Sequence, residues 1–386
     1  MSHILQCHEI VKTDFVRAEN CHLFDSQGRR FIDFESGIWC TALGHNHPVV
    51  NHTIETQLQT LMHLGTRYPN ETVEKAAVEV LTITGLGEGK CIFLSSGSEA
   101  VEFAVQAVRR ISGRELLLSF SNSYLAAFGS AGKKDAGEWF LLDSNVCLNY
   151  GYLEMLDSIP FEKIGGFIFE PGGSGSAFGK FPPKLIVQEI ATRVRQAGGM
   201  IAANEITTGM GRTGKWFGYQ HYDLQPDIVS LGKGLGNGYP VSAVAMKQEI
   251  AQSLEDGGLR YAQSHQNDPM GCAVASTVIR ILREEGWIER GNEVGEFFLE
   301  GLQHLAAKHA IIREARGRGM LLTLEFKPHA EFSAEKAYRA LLAKGFLAGY
   351  YPAGNVLRFD PALTVSLADI RSLLTSLDSI LLKVSA

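Results

Sequence analysis

The sequence predicts an α/β protein, with a mostly parallel sheet covered on both faces and a smaller α+β region after it. Two observations carry this expectation. Between about Thr72 and Met246, apolar strand-like runs alternate with helical patterns; such alternation builds parallel sheets through crossover connections. Five of these runs then end in polar or glycine-rich groups, and Lys233 closes the fifth. Ligands of open α/β sheets bind beyond the carboxyl ends of the strands, so these ends outline a candidate site.

Bulk properties narrow the function classes. The chain has 386 residues, 45% hydrophobic and 20% charged, which supports a large core and more than one domain. Its formal net charge is −6, without a long basic or acidic run. That argues against nucleic acid and against a polybasic membrane contact. The first residues mix His, Glu, Lys, Asp and Arg and lack the apolar stretch of a signal peptide. No apolar run approaches the ~20 residues that span a bilayer. The six cysteines are scattered, with no C-x-x-C pair, which argues against a disulfide scaffold or a zinc site and fits a reducing cytoplasm. His45 and His47 flank Asn46 before Pro48 and read as turn residues, and no histidine spacing suggests a metal.

The elements follow in order. Cys21–Asp25 and Arg30–Phe34 flank Ser26-Gln27-Gly28-Arg29, a hairpin pattern. Gly44-His45-Asn46-His47-Pro48 breaks it, and a helix is expected from Pro48 to Met62. The strand candidates are Cys91–Leu94, Glu115–Phe120, Ile164–Phe169, Met200–Ala203, Ile228–Leu231 and Val241–Met246. Past Gly257 the chain turns helical, most clearly over Met270–Glu285. A C-terminal α+β region holds strands at Met320–Phe326 and Asn355–Phe359. The expected division is 1–48 for an N-terminal part of a small domain, 49–257 for the large domain, and 258–386 for an interdomain helix and the rest of the small domain.

The first strand delivers Ser95-Ser96-Gly97-Ser98-Glu99 to a helix with an apolar stripe of Ala100, Val101, Ala104, Val105 and Val108. Its start suits a phosphate; the plainer alternative is a capping box of Ser96 with Glu99. The second delivers Tyr124, either a stacking partner for a planar ring or a core aromatic. The third delivers Glu170-Pro171 and the loop Gly172-Gly173-Ser174-Gly175-Ser176. The fourth delivers Asn204-Glu205, then Thr207 to Gly214. At the fifth, Lys233 lies between an apolar strand end and glycines. Desolvation there would disfavour the ammonium and leave an amine able to form a Schiff base. By itself such a Lys reads first as a surface residue in a turn, and the other four strand ends reverse that preference. The five ends together describe a pyridoxal phosphate site.

The chain resembles the class III aminotransferases, the family of the acetylornithine, ornithine and 4-aminobutyrate enzymes, over nearly its whole length. The resemblance rests on Leu23 to Ile38, Ser96 to Glu102, Glu170-Pro171, Thr208 to Gly214 with Pro226-Asp227-Ile228, and Gly232 to Pro240. It implies fold type I: a large domain with a mixed, mostly parallel seven-stranded sheet, and a small α+β domain built from both termini. Lys233 would carry the cofactor and move the substrate's α-proton. Ser96, Gly97 and Ser98 would hold the phosphate, Tyr124 would stack on the ring, and Glu170 and Asn204 would complete the cofactor site. Ser264 matches a family Thr that reaches the phosphate from the neighbouring subunit, which implies a two-fold homodimer. Arg358 matches the Arg that grips a substrate carboxylate through two hydrogen bonds, with Ile38 and Trp39 on the substrate side. The implied reaction moves an amino group from an amino acid or ω-amino acid to a 2-oxo acid, with 2-oxoglutarate and glutamate as the exchange pair.

Departures from the family keep two alternatives open: another reaction on the same cofactor (racemase, decarboxylase or aminomutase), and a catalytically weakened homologue. Asn204 stands where the family usually has Asp, and supplies no negative charge to hold a proton on the cofactor's ring nitrogen. Leu125 replaces a frequent His. Ornithine-type relatives carry an acid that pairs with the carboxylate-binding Arg at the position of Gly175, so Arg358 is expected to stand free. Arg67 reads as a solvated loop residue or a second anion anchor.

Overall fold

The computed structural model describes residues 3–143, 152–172 and 178–384. The loop 173–177, and with it the position of Gly175, lies outside the described residues. The strands are β1 (Phe15–Glu19), β2 (His22–Asp25), β3 (Arg30–Asp33), β4 (Lys90–Leu94), β5 (Leu116–Phe120), β6 (Trp139–Leu142), β7 (Ile164–Phe169), β8 (Met200–Asn204), β9 (Ile228–Leu231), β10 (Ser242–Met246), β11 (Ile312–Arg318), β12 (Leu321–Phe326), β13 (Phe346–Leu347), β14 (Gly349–Tyr351) and β15 (Val356–Phe359).

Seven of them form a sheet in the order β4-β10-β9-β8-β7-β5-β6. Only β10 runs against the others, pairing antiparallel with β4 and β9. The remaining pairs are parallel. The carboxyl ends of β4, β5, β7, β8 and β9 therefore open on one edge. Every residue of β7 is buried, as a central strand covered on both faces requires. The helix Gly97–Ser112 buries the expected stripe together with Phe103 and Ala107. The six strand candidates are present, shifted by at most a residue or so at their ends. The seventh strand, β6, was not foreseen: its apolar run Trp139-Phe140-Leu141-Leu142 is short and lies at the sheet edge.

The N-terminal hairpin forms as read, and the chain's distant part completes it. β13 pairs parallel with β3, Phe346 opposite Ile32, giving a four-stranded sheet β1-β2-β3-β13. A second antiparallel sheet, β11-β12-β15-β14, carries Arg358 on an inner strand. The small α+β layer is thus built from both termini. The helix Trp287–Lys308 packs on it, with Gly295 against the β11–β12 turn. A Cβ on Gly295 would meet Gly319 O at 2.3 Å, a backbone atom with little room to yield. Gly295→Ala should therefore destabilise the fold by roughly 1–3 kcal/mol despite Ala's better helix propensity. Urea unfolding of the two proteins measures this.

Candidate active site

The strand ends bring most of the expected residues together. At the β4 end the helix starts at Gly97, with Ser96 as its cap. The capping box is present: Ser96 N and Oγ both donate to Glu99 Oε2, at 2.7 and 2.9 Å, and Glu99 N donates to Ser96 Oγ. This cap leaves the amides of Gly97 and Ser98 pointing out of the first turn, where an anion is stabilised. Ser98 Oγ accepts from Ala127 N at 2.9 Å and keeps its own proton to donate. The two readings of this segment are compatible, since cap and anion use different amides.

Ile206 was missed by the sequence reading. It separates the helix start from the Lys233 loop: a Cβ on Gly97 would fall 2.6 Å from Ile206 Cγ2, and one on Gly232 3.2 Å from its Cδ1. Both glycines permit this approach. The only available signal was position, two residues past Asn204.

Tyr124 is not a core aromatic. It is 53% exposed, while its backbone is fixed from two sides. Tyr124 N donates to Glu170 Oε2 at 3.1 Å, and Tyr124 O accepts from Asn204 Nδ2 at 3.3 Å. Asn204 Oδ1 in turn accepts from Ile206 N at 3.2 Å. Exchanging the amide's ends would set oxygen against oxygen and N–H against N–H, so the network assigns this orientation. Glu170 and Asn204 are both buried.

Lys233 adopts φ +45°, a strained conformation for a side chain of its size and of the kind that persists at functional sites. Its Nζ donates to Thr207 Oγ1 at 2.9 Å and lies 4.3 Å from the centre of the Trp39 ring. Burial lowers its pKa to about 8, with Cys40 and Glu170 opposing that shift. Thr207 was read only as part of the loop after the fourth strand, and Cys40 only as one of the scattered cysteines.

Trp39 and Ile38 sit on a left-handed turn. Ser36, Gly37, Ile38 and Trp39 all have positive φ, 45° to 66°. Such a turn costs roughly 1–2 kcal/mol for each non-Gly residue. It is held by buried Asp33, which accepts from Glu35 N, Ser36 N and Gly37 N and pairs with His45 Nε2 at 2.7 Å. His45 is thus a turn residue, as read, but its ring bonds to a carboxylate. Ile38 is exposed, whereas Trp39 is buried between functional groups. The Arg358 guanidinium lies 4.2 Å from its ring centre.

Arg358 contradicts the expectation of a free cation. Its Nη1 donates to both carboxylate oxygens of Asp360, at 2.8 and 2.9 Å, and its Nη2 to Glu35 Oε1. Gly349 on β14 is required here, since a Cβ would fall 2.1 Å from Arg358 Nε. Neither acid was singled out in the sequence. Asp360 lies two residues further on, just past the end of β15, but Glu35 comes from the other end of the chain.

Ser264 is exposed. The preceding Gln263 donates to Ser95 Oγ and Glu99 Oε1, at 3.2 and 3.3 Å, which keeps the Ser264 loop beside the β4 end. In the same loop Asp268 accepts from His63 Nδ1 at 3.0 Å and His265 Nδ1 at 3.2 Å. Nothing in the sequence suggested this grouping, because His63 and Asp268 are 205 positions apart. Arg67 is exposed and lines a pocket together with Asn267.

These donors fit pyridoxal phosphate: amides and a hydroxyl for the phosphate, an exposed ring and Ile206 for the flat heterocycle, a buried amide for its nitrogen, and an amine of lowered pKa for its aldehyde. The family profile described as aminotransferase class-III matches residues 6–128 and 143–381. The chain belongs to the class III aminotransferases. Acetylornithine aminotransferase of Aquifex aeolicus is 29% identical over 396 residues, covering 99% of this chain and 100% of the relative. Succinylornithine transaminase of Photorhabdus laumondii is 29% identical, covering 99% of this chain and 96% of the relative. In structure, an S-selective transaminase from Arthrobacter sp. superposes with a TM-score of 0.90 at 25% identity, covering 99% of this chain and 96% of that one. This aminotransferase therefore has the fold type I architecture and depends on pyridoxal phosphate. No helix among the described residues is long and apolar enough to cross a membrane.

Proposed function

We propose that this aminotransferase moves an amino group from an amino acid or ω-amino acid to a 2-oxo acid, with 2-oxoglutarate and glutamate as the exchange pair, and that Lys233 is its covalent anchor and proton carrier. The observation that carries the reading is the Lys233 amine, pushed down to about 8 by burial and aimed between Thr207 and Trp39. When bound, pyridoxal phosphate supplies an electron sink for charge left on the substrate's α-carbon. The Gly97 and Ser98 amides and the Ser98 hydroxyl would hold the phosphate, with Ser96 capping the helix that presents them. Tyr124 and Ile206 would pack against the flat ring. Glu170 fixes the Tyr124 backbone, and Asn204 would offer its amide to the ring nitrogen. Once free of the cofactor, Lys233 would take the substrate's α-proton on its Nζ and give it back, a role that favours a base with a pKa near the working pH. Trp39 excludes water beside that amine, and Ile38 and Arg358 receive the substrate's far end. Ser264 acts on the phosphate of a second protomer in a homodimer, and the scattered cysteines support a cytoplasmic location.

The test is direct. Reduction of the holoenzyme with borohydride followed by peptide mass spectrometry should find the cofactor on Lys233, and half-reactions with candidate donors should yield a keto product. Cofactor on another lysine, or donor consumption without a keto product, overturns the reading.

Asn204 sets a second expectation. A neutral amide hydrogen-bonds to the ring nitrogen but does not hold a proton there. A charged partner would strengthen that contact by roughly 1–2 kcal/mol. Asn204→Asp should then speed α-proton removal about tenfold. Single-turnover absorbance measures it, and an unchanged rate with cofactor bound refutes it.

A further inference from the structure

Three side chains distant in sequence meet beside the β4 end. His63 follows the helix Pro48–Thr60, while His265 and Asp268 lie on the loop that leads into the helix Pro269–Glu284. Both rings turn the same nitrogen, Nδ1, toward the Asp268 carboxylate, at 3.0 and 3.2 Å, and each takes a different oxygen. The three ligand atoms all lie within 4.8 Å of one another, and the rings are tilted by 57° rather than stacked. A second observation singles out Asp268. It is the N-cap residue of its helix, yet its side chain caps no amide, although an Asp there ordinarily accepts from one. The carboxylate forgoes that bond to stand between the two imidazoles.

We propose that His63, His265 and Asp268 form a site for a divalent transition metal of the Zn²⁺ class, whose occupant clasps the chain past the helix Pro48–Thr60 to the Ser264 loop. Two imidazole nitrogens and a carboxylate oxygen suit such ions, whereas Mg²⁺ and Ca²⁺ take oxygens. Metal–ligand bonds of about 2.0–2.2 Å set tetrahedral ligand atoms roughly 3.3–3.6 Å apart. Both nitrogen–oxygen separations are already close to this, and the remaining adjustment falls on two exposed rings. As hydrogen bonds, these contacts use an Nδ1–H on each ring. A metal replaces those protons, and each neutral ring then carries its proton on Nε2. A cavity of about 290 Å³, lined by Ser95, Tyr239, Pro240, His265 and Asp268, leaves room for water as a fourth ligand. The loop is in turn tied to β4: Asn267 N donates to Phe93 O at 3.0 Å, and Phe93 N to Asn267 Oδ1 at 2.9 Å. Gln263 links His265 N to Ser95 and Glu99. All three ligands come from one chain, so the site does not depend on a second protomer.

Holoenzyme freed of metal with a chelator is dialysed against Zn²⁺, and the bound metal is counted by plasma mass spectrometry. Wild type should retain a single Zn²⁺ per chain, and excess Mg²⁺ should not displace it. His63→Gln and Asp268→Asn should each weaken binding at least about tenfold. His63 is exposed, so its variant should unfold thermally like wild type and show that the loss is local. Hydrogen exchange over residues 263–268 should slow when Zn²⁺ is added to wild type and stay unchanged in His63→Gln. Failure to retain Zn²⁺, equal retention by wild type and His63→Gln, displacement by Mg²⁺, or bound Zn²⁺ without slower exchange in this loop would each overturn the proposal.

Discussion

Lys233→Ala is expected to lower transamination by at least about 10³-fold, since it removes both the covalent anchor and a general base that alone contributes roughly 10²–10⁴. Mass spectrometry after borohydride treatment should find no attached cofactor, and product assays should find residual turnover only. The fold should survive. Lys233 is a charge paired with a hydroxyl rather than a carboxylate, and its pKa of about 8 against an ordinary 10.5 shows that the site disfavours the ammonium. The sign follows. Between pH 8 and 10.5 the unfolded chain holds more protons at this residue than the folded one. Stability of the cofactor-free protein should rise with pH across that window, and Lys233→Met should remove the slope. The same value predicts that cofactor attachment accelerates with pH to a midpoint near 8, measurable from the growth of the visible band.

Glu205→Ala should be the most damaging change to stability among the strand-end residues. The buried carboxylate accepts from Thr208 Oγ1, Gly218 N and Tyr219 N, each at 2.8 Å. Removing it strands these donors in the interior at roughly 1–3 kcal/mol apiece, so a loss of about 3–6 kcal/mol is expected. Such a loss rivals the whole stability of many domains. It would show in urea denaturation as a lower midpoint, or as a failure to purify. Glu205→Gln keeps one acceptor oxygen and should lose less. Burial pushes the Glu205 carboxyl from 4.5 up to about 7, against the three hydrogen bonds. The folded state therefore holds more protons between those values, and this residue's contribution to stability falls as the pH rises from 4.5 to 7. Its structural task is to tie the loop after β8 to the turn Gly218–Tyr222, and that loop presents Thr207 to Lys233.

Much of this was legible in the residues. Val101, Ala104, Val105 and Val108 announce a helix by their spacing, and Ile228-Val229-Ser230-Leu231 announces a buried strand by its continuity. The polar ends of those strands converge because parallel strands share a direction. β6 was missed because four apolar residues suit an edge strand and a loop alike. β13 was missed because its two residues form a strand only when β3 lies beside them. Tyr124 had two readings in the sequence, and its exposure decided between them.

The sequence alone determined which residue types stand at each strand end, because hydrophobic period and turn chemistry are properties of neighbours in the chain. It also marked Lys233 and Arg358 as the groups to watch. Their surroundings were decided by tertiary structure. Glu35 reaches Arg358 across 323 positions, Asp33 bends the chain through a left-handed turn to set Trp39 between two cations, and Ile206 fills the gap between two glycines. The physical reason is the range of the forces involved. Periodicity acts over a few residues, whereas an ion pair depends on a separation in space that only the folded chain defines.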